Sequence, residues 1–151
     1  MDIGNGERRV EGRNAASGRA AGFDVHKDKE PDQMAQFFRS PAMRRFAGLA
    51  TIALLIAIAV LSLLPSGDLP PVEGSDKVKH FLAYGSLGGA MAMAFGPGRA
   101  LRAFLITIGY GALMEIAQAL APTGREFSVL DEVANILGAG VGTVVALALR
   151  R

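Results

Sequence analysis

Four stretches of this chain are almost wholly apolar, and polar residues collect at their ends. The first, Phe46 to Leu64, runs for 19 residues without a charge, close to what a helix needs to cross about 30 Å of hydrocarbon. Ser40-Pro41 just before it has the chemistry of an N-cap and a first helical residue, so the helix is expected over 42–64. A second helix is expected over 78–95, stopped by Gly96-Pro97-Gly98, a run that cannot continue a helix cheaply. A third follows over 100–121, ended by Pro122-Thr123-Gly124. A fourth covers 129–149, with Ser128 as its N-cap and Asp131 as the acid of a capping box. The connections are too short for anything but antiparallel neighbours. The fold class expected is therefore all-α, an integral membrane bundle of four antiparallel transmembrane helices.

The first 40 residues read differently. Up to about Glu30, Gly, Arg, Asn, Ser and acids mix without periodicity, and such a segment buries too little apolar area to offset ordering entropy. A disordered, charged arm is expected over 1–40, with Met34, Phe37 and Phe38 forming a short interfacial turn beside Arg39. The membrane domain then occupies 41–151. The first apolar run lies well behind the N-terminus, so it is expected to be an anchor and not a cleaved signal peptide.

Composition narrows the chemistry. The sequence has 151 residues, half of them hydrophobic, and no cysteine, which removes disulfides, thiolate metal sites, iron–sulfur clusters and cysteine nucleophiles together. Of its two histidines, His26 lies in the arm and only His80 can reach the membrane, so a haem held between two intramembrane histidines is excluded. No Gly-rich phosphate loop and no serine spaced against a base is present, which argues against a nucleotide-driven enzyme or a serine hydrolase. Bases near the helix ends divide unevenly: Arg39, Arg44, Arg45, Arg99, Arg102, Arg150 and Arg151 on one side, Lys77, Lys79 and Arg125 on the other. This places both termini in the cytoplasm and suits membrane electrostatics, not nucleic acid.

The polar residues within the apolar segments are the candidate site. His80 and Tyr84 lie about 40° apart around their helix, Glu115 and Gln118 about 60°, Asp131 and Asn135 about 40°. Each helix thus carries one polar stripe, continued by Thr107 and Gly111 on the third and by Gly138 and Gly142 on the fourth. Tyr84, Glu115 and Asn135 each fall about 9 Å inside the outer ends of their helices, so three helices bring polar groups to one depth. An ionisable group at membrane depth is costly unless it faces an interior or a partner. Glu115 is the strongest signal, since no capping role explains it. Asp76 and Asp131 sit in first turns, where the helix dipole alone favours a carboxylate. Lys77 and Arg125 are either interfacial cations or, beside two helix N-termini, the bases of an anion site. His80, Glu115, Asp131 and Asn135 could bind a hard or borderline cation, but their spacing matches no recognised ligand pattern. No metal or cofactor is expected. Gly85, Gly88 and Gly89 are expected to be helix contacts, and Met91, Met93 and Met114 packing groups.

Asp76-Lys77-x-x-His80-x-x-x-Tyr84, then Glu115-x-x-Gln118, Arg125-x-Phe127-Ser128 and Asp131-x-x-x-Asn135-x-x-Gly138 together resemble the VanZ-like family of membrane proteins over about residues 75 to 145. The resemblance implies a bacterial inner-membrane protein, and it links the chain to a family whose name-giving member is associated with low-level teicoplanin resistance. It brings no established reaction or cofactor. The long charged arm departs from the family pattern.

The function expected from these features is an outward-facing polar pocket, formed by Asp76, Lys77, His80, Tyr84, Glu115, Gln118, Arg125, Asp131 and Asn135, that engages a cell-envelope lipid or a lipid-linked cell-wall precursor. Lys77 and Arg125 would hold its anionic group while Glu115, His80 and Asp131 tune its protonation. Three alternatives stay open. One is an enzyme with His80, Glu115 and Asp131 as candidate catalytic groups. Another is a proton- or ion-coupled carrier working as a homo-oligomer, and the last is a structural subunit.

Overall fold

The computed structural model describes residues 33–65, 75–122, 124 and 126–151. The expected disordered arm, apart from its last residues, lies outside them, as does Arg125. Among the described residues the chain is all-helical: α1 (Gln33–Arg39), α2 (Pro41–Leu63), α3 (Asp76–Phe95), α4 (Ala100–Leu120) and α5 (Val129–Ala148).

Local chemistry sets the helix ends. Ser40 has extended backbone angles, its Oγ accepts from the Met43 amide at 3.2 Å, and Pro41 opens α2. Gly96 closes α3 at φ 88°, a left-handed conformation that favours glycine, and Pro97–Arg99 form one 3-10 turn leading into α4. At α5, Ser128 Oγ accepts from the Asp131 amide at 3.3 Å. The short turn of Met34, Phe37 and Phe38 is α1, with Met34 and Phe37 exposed.

One expectation needs correction. Three segments, Pro41–Leu63, Pro97–Leu120 and Val129–Ala148, are long and apolar enough to cross a membrane; α3 is not. Its first turns hold Asp76, Lys77, Lys79 and His80, and its middle is Gly85, Ser86, Gly88 and Gly89. The helix has little need of an apolar exterior, because it packs against α2, α4 and α5 and exposes no residue from Leu87 to Phe95. The three apolar helices carry the outer surface, through exposed Phe46, Leu49 and Ile56 on α2, Leu101 and Leu113 on α4, and Leu137 and Val144 on α5. An apolar exterior of this extent around a partly polar interior is the arrangement of a membrane protein.

From α2 onward, consecutive helices run antiparallel, as the short connections require. The most intimate pair, however, is α3 and α5, which run parallel: Gly85 lies against Gly138, Gly88 against Ala139 and Gly89 against Gly142. A Cβ on Gly88 would stand 2.7 Å from the Ala139 carbonyl oxygen, and one on Gly138 or Gly142 would overlap the backbone of Phe81 or Gly85. Small residues let these backbones touch. Leu87, Met91, Ala103, Met114 and Ala139 fill the core beside this seam. Thr51 and Thr107 are buried there too, satisfied by the carbonyls of Ala47 and Ala103 one turn back.

Candidate functional site

Parallel packing of α3 and α5 brings both N-termini to one end of the bundle, where the C-terminal part of antiparallel α4 meets them. The i, i+4 spacing of Asp76, His80 and Tyr84 sets them on one face of α3. Glu115 and Gln118 project from the corresponding turns of α4, and Asp131, Glu132 and Asn135 from the first two turns of α5.

Side chains from the three helices join there. His80 Nδ1 lies 3.0 Å from Asn135 Oδ1, and Asn135 Nδ2 donates to Glu132 Oε2 at 3.0 Å. The second bond orients the amide, so Asn135 Oδ1 accepts from the imidazole N–H at Nδ1. Glu115 Oε1 stands 3.7 Å from the same Nδ1, while its Oε2 accepts from the backbone amide of Ser128 at 3.2 Å. Lys77 Nζ faces Asp131 Oδ1 at 3.6 Å. The rings of His80 and Tyr84 stack one turn apart, within 2° of parallel, and Tyr110 approaches Tyr84 from α4.

Burial divides the group. Tyr84, Glu115, Gln118 and Asn135 are 2% exposed or less, His80 and Asp131 are also buried, and Asp76 and Lys77 stand at the rim, exposed. Gly111 of α4 makes room for the inner part: a Cβ there would meet Glu132 Oε2 at 2.9 Å, Asn135 Nδ2 at 3.0 Å and Tyr84 Cε1 at 3.2 Å. The six described residues other than Asp76 and Lys77 expected at the site are thus all buried, and the backbone at Gly111 leaves no slack for a side chain.

Two features differ from what the sequence suggested. The capping box of α5 is closed across helices, since the Ser128 N–H goes to Glu115 and the Asp131 carboxylate turns to Lys77. Glu132, which the sequence reading did not single out, is the acceptor that orients Asn135; its position three residues before Asn135 on the same helix face was the available signal. Among the described residues, ligand atoms of Asp76, His80 and Asp131 lie within 4.8 Å of one another; His80 and Asp131 are two of the four residues weighed for a cation from the sequence.

Comparison with known families decides what kind of chain this is: a model of the VanZ/LLP1 family matches residues 32–150. The chain belongs to the VanZ/LLP1 family. The match extends beyond the motif-bearing region to include α1 and α2, so the first apolar helix is part of the VanZ domain. No curated protein and no solved structure matches the chain.

Proposed function

We propose that this VanZ-family protein binds the anionic headgroup of a cell-envelope amphiphile, such as a lipid-linked cell-wall precursor, at the polar end of its bundle. The observation that carries the proposal is the convergence of three buried side chains from three helices: His80 bonded to Asn135, and Glu115 3.7 Å from the same imidazole nitrogen. Polar groups inside an apolar bundle cost free energy even when paired, and small apolar residues could fill the same space. Their retention at one end, beside exposed cationic Lys77, suits a ligand that arrives there. Ser75 makes no side-chain capping bond, so the amides of the first α3 turn present the positive end of the helix next to Lys77. Arg125 is assigned to the same anion site by its place in the motif. In this reading the polar end faces outward from the bacterial inner membrane, with both chain ends in the cytoplasm on the arginine-rich side, and membrane lipids are the partners.

The test is native mass spectrometry of the full chain extracted from its own membrane, comparing the wild type with Glu115→Gln and Arg125→Ala at equal abundance. Retention of an anionic amphiphile by the wild type alone is expected, accompanied by a change in teicoplanin susceptibility that both variants abolish. Equal retention by all three chains contradicts the reading.

The 3.7 Å approach of Glu115 to His80 favours a second reading, acid/base chemistry on a lipid-linked phosphate or amide bond. It requires turnover by purified protein, lost on changing either residue.

A further inference from the structure

We propose that Asp76, His80 and Asp131 form a divalent-cation site at the rim of the polar end. The ligand atoms of the three side chains lie within 4.8 Å of one another, a separation that a single ion coordinating all three can bridge with small side-chain movements. One imidazole and two carboxylates suit a borderline or hard ion such as Zn²⁺ or Mn²⁺.

Two independent observations point to a ligand here. Asp131 is 8% exposed, and its Oδ1 is fully enclosed yet receives no hydrogen bond; the Lys77 ammonium, at 3.6 Å, balances its charge without hydrogen-bonding it. The second observation is the orientation of His80. Glu132 orients Asn135 and Asn135 accepts from Nδ1, so an ion held by this ring would be taken by Nε2. Metal-ligating histidines are held in this way, by an acceptor on the opposite ring nitrogen. Asp76, exposed at the first position of α3, gives the ion a route from solvent and leaves room for water ligands.

Lys77 competes for Asp131. Its side chain is 52% exposed, so it can swing into solvent when an ion takes over the charge of Asp131. The site stands on the geometry of these three side chains and not on the headgroup reading. An ion held there would place a second positive charge, with open coordination positions, beside the helix termini assigned to the headgroup.

The experiment uses the full chain in nanodiscs of zwitterionic lipid, stripped with a chelator and titrated with Mn²⁺ alone while the electron paramagnetic resonance spectrum is followed. Saturation at one Mn²⁺ per chain, a nitrogen hyperfine coupling and displacement by Zn²⁺ are expected. His80→Ala should remove the coupling, and Asp131→Asn should weaken binding by at least an order of magnitude. Asn135→Ala, which touches no ion, should weaken it about tenfold through the orientation of His80. Lys77→Met should tighten binding several-fold, a gain that misfolding cannot produce. Uptake no greater than that of empty nanodiscs, binding unchanged in His80→Ala and Asp131→Asn, or weaker binding in Lys77→Met would each overturn the site. Amphiphile retention measured on the same metal-stripped protein separates the two proposals: retention without Mn²⁺ binding removes the cation site and leaves the headgroup reading intact.

Discussion

The two ends of this bundle are both charged, but they use charge differently. At the arginine end, side chains donate to backbone carbonyls: Arg39 Nε to Arg150 at 2.7 Å, Arg44 Nε to Ala94 at 3.3 Å and Arg150 Nη1 to Met93 at 2.7 Å. These bases complete the orphan carbonyls where α3 and α5 finish, as cations near a helix C-terminus do. Burial, followed by the neighbouring Arg44 and Arg39 charges, holds the Arg150 guanidinium below its usual pKa. A cavity of about 320 Å³ lined by Pro41, Arg44, Arg45 and Ala94 opens beside them. At the polar end, by contrast, side chains meet other side chains away from solvent: His80 bonds Asn135 between α3 and α5, Asn135 bonds Glu132 within α5, and Glu115 of α4 stands 3.7 Å from His80. Helix termination accounts for the first pattern. It does not account for the second, because only the Ser128 amide among these partners belongs to a helix end.

The largest effect should come from the seam joining the ends. Gly142→Ala drives a methyl into the Gly85 backbone, and overpacking against an unyielding neighbour costs about 1–3 kcal/mol. Both ends should loosen together in hydrogen exchange; loosening of one alone would show that α3 and α5 do not act as a common spine. Glu115→Gln comes next. Glutamine keeps an acceptor for Ser128, so the stability change should stay within about 1 kcal/mol, while amphiphile retention falls severalfold or more. Stability falling in step with retention would make the polar end as structural as the other. Arg150→Ala removes the donor to the Met93 carbonyl and should cost about 1 kcal/mol with retention unchanged. The smallest effect belongs to Lys77→Met, whose half-exposed pair with Asp131 is worth less than about 1 kcal/mol, as thermal unfolding in detergent would measure.

Features with local causes were legible in the sequence. Ser40-Pro41, Gly96-Pro97-Gly98 and Ser128 mark helix ends because capping and φ restrictions act over a few residues. The shared depth of Tyr84, Glu115 and Asn135 could be read too, since helical rise and short connections leave little freedom. What could not be read depends on which helices touch. The parallel contact of α3 and α5 joins helices that are not consecutive, and it makes α3 the enclosed member of the bundle, exempt from the apolarity that a membrane-facing helix requires. Glu115 taking the Ser128 amide likewise depends on α4 reaching across to the start of α5, which no pattern within α5 reveals.

The claim on which the rest depends is that His80 and Glu115 act as one unit. A double-mutant cycle tests it most directly, with His80→Ala, Glu115→Gln and the double variant compared for amphiphile retention at equal abundance and equal thermal stability. The account predicts that the double variant loses no more than the worse of the two single variants. Losses that simply add would contradict it.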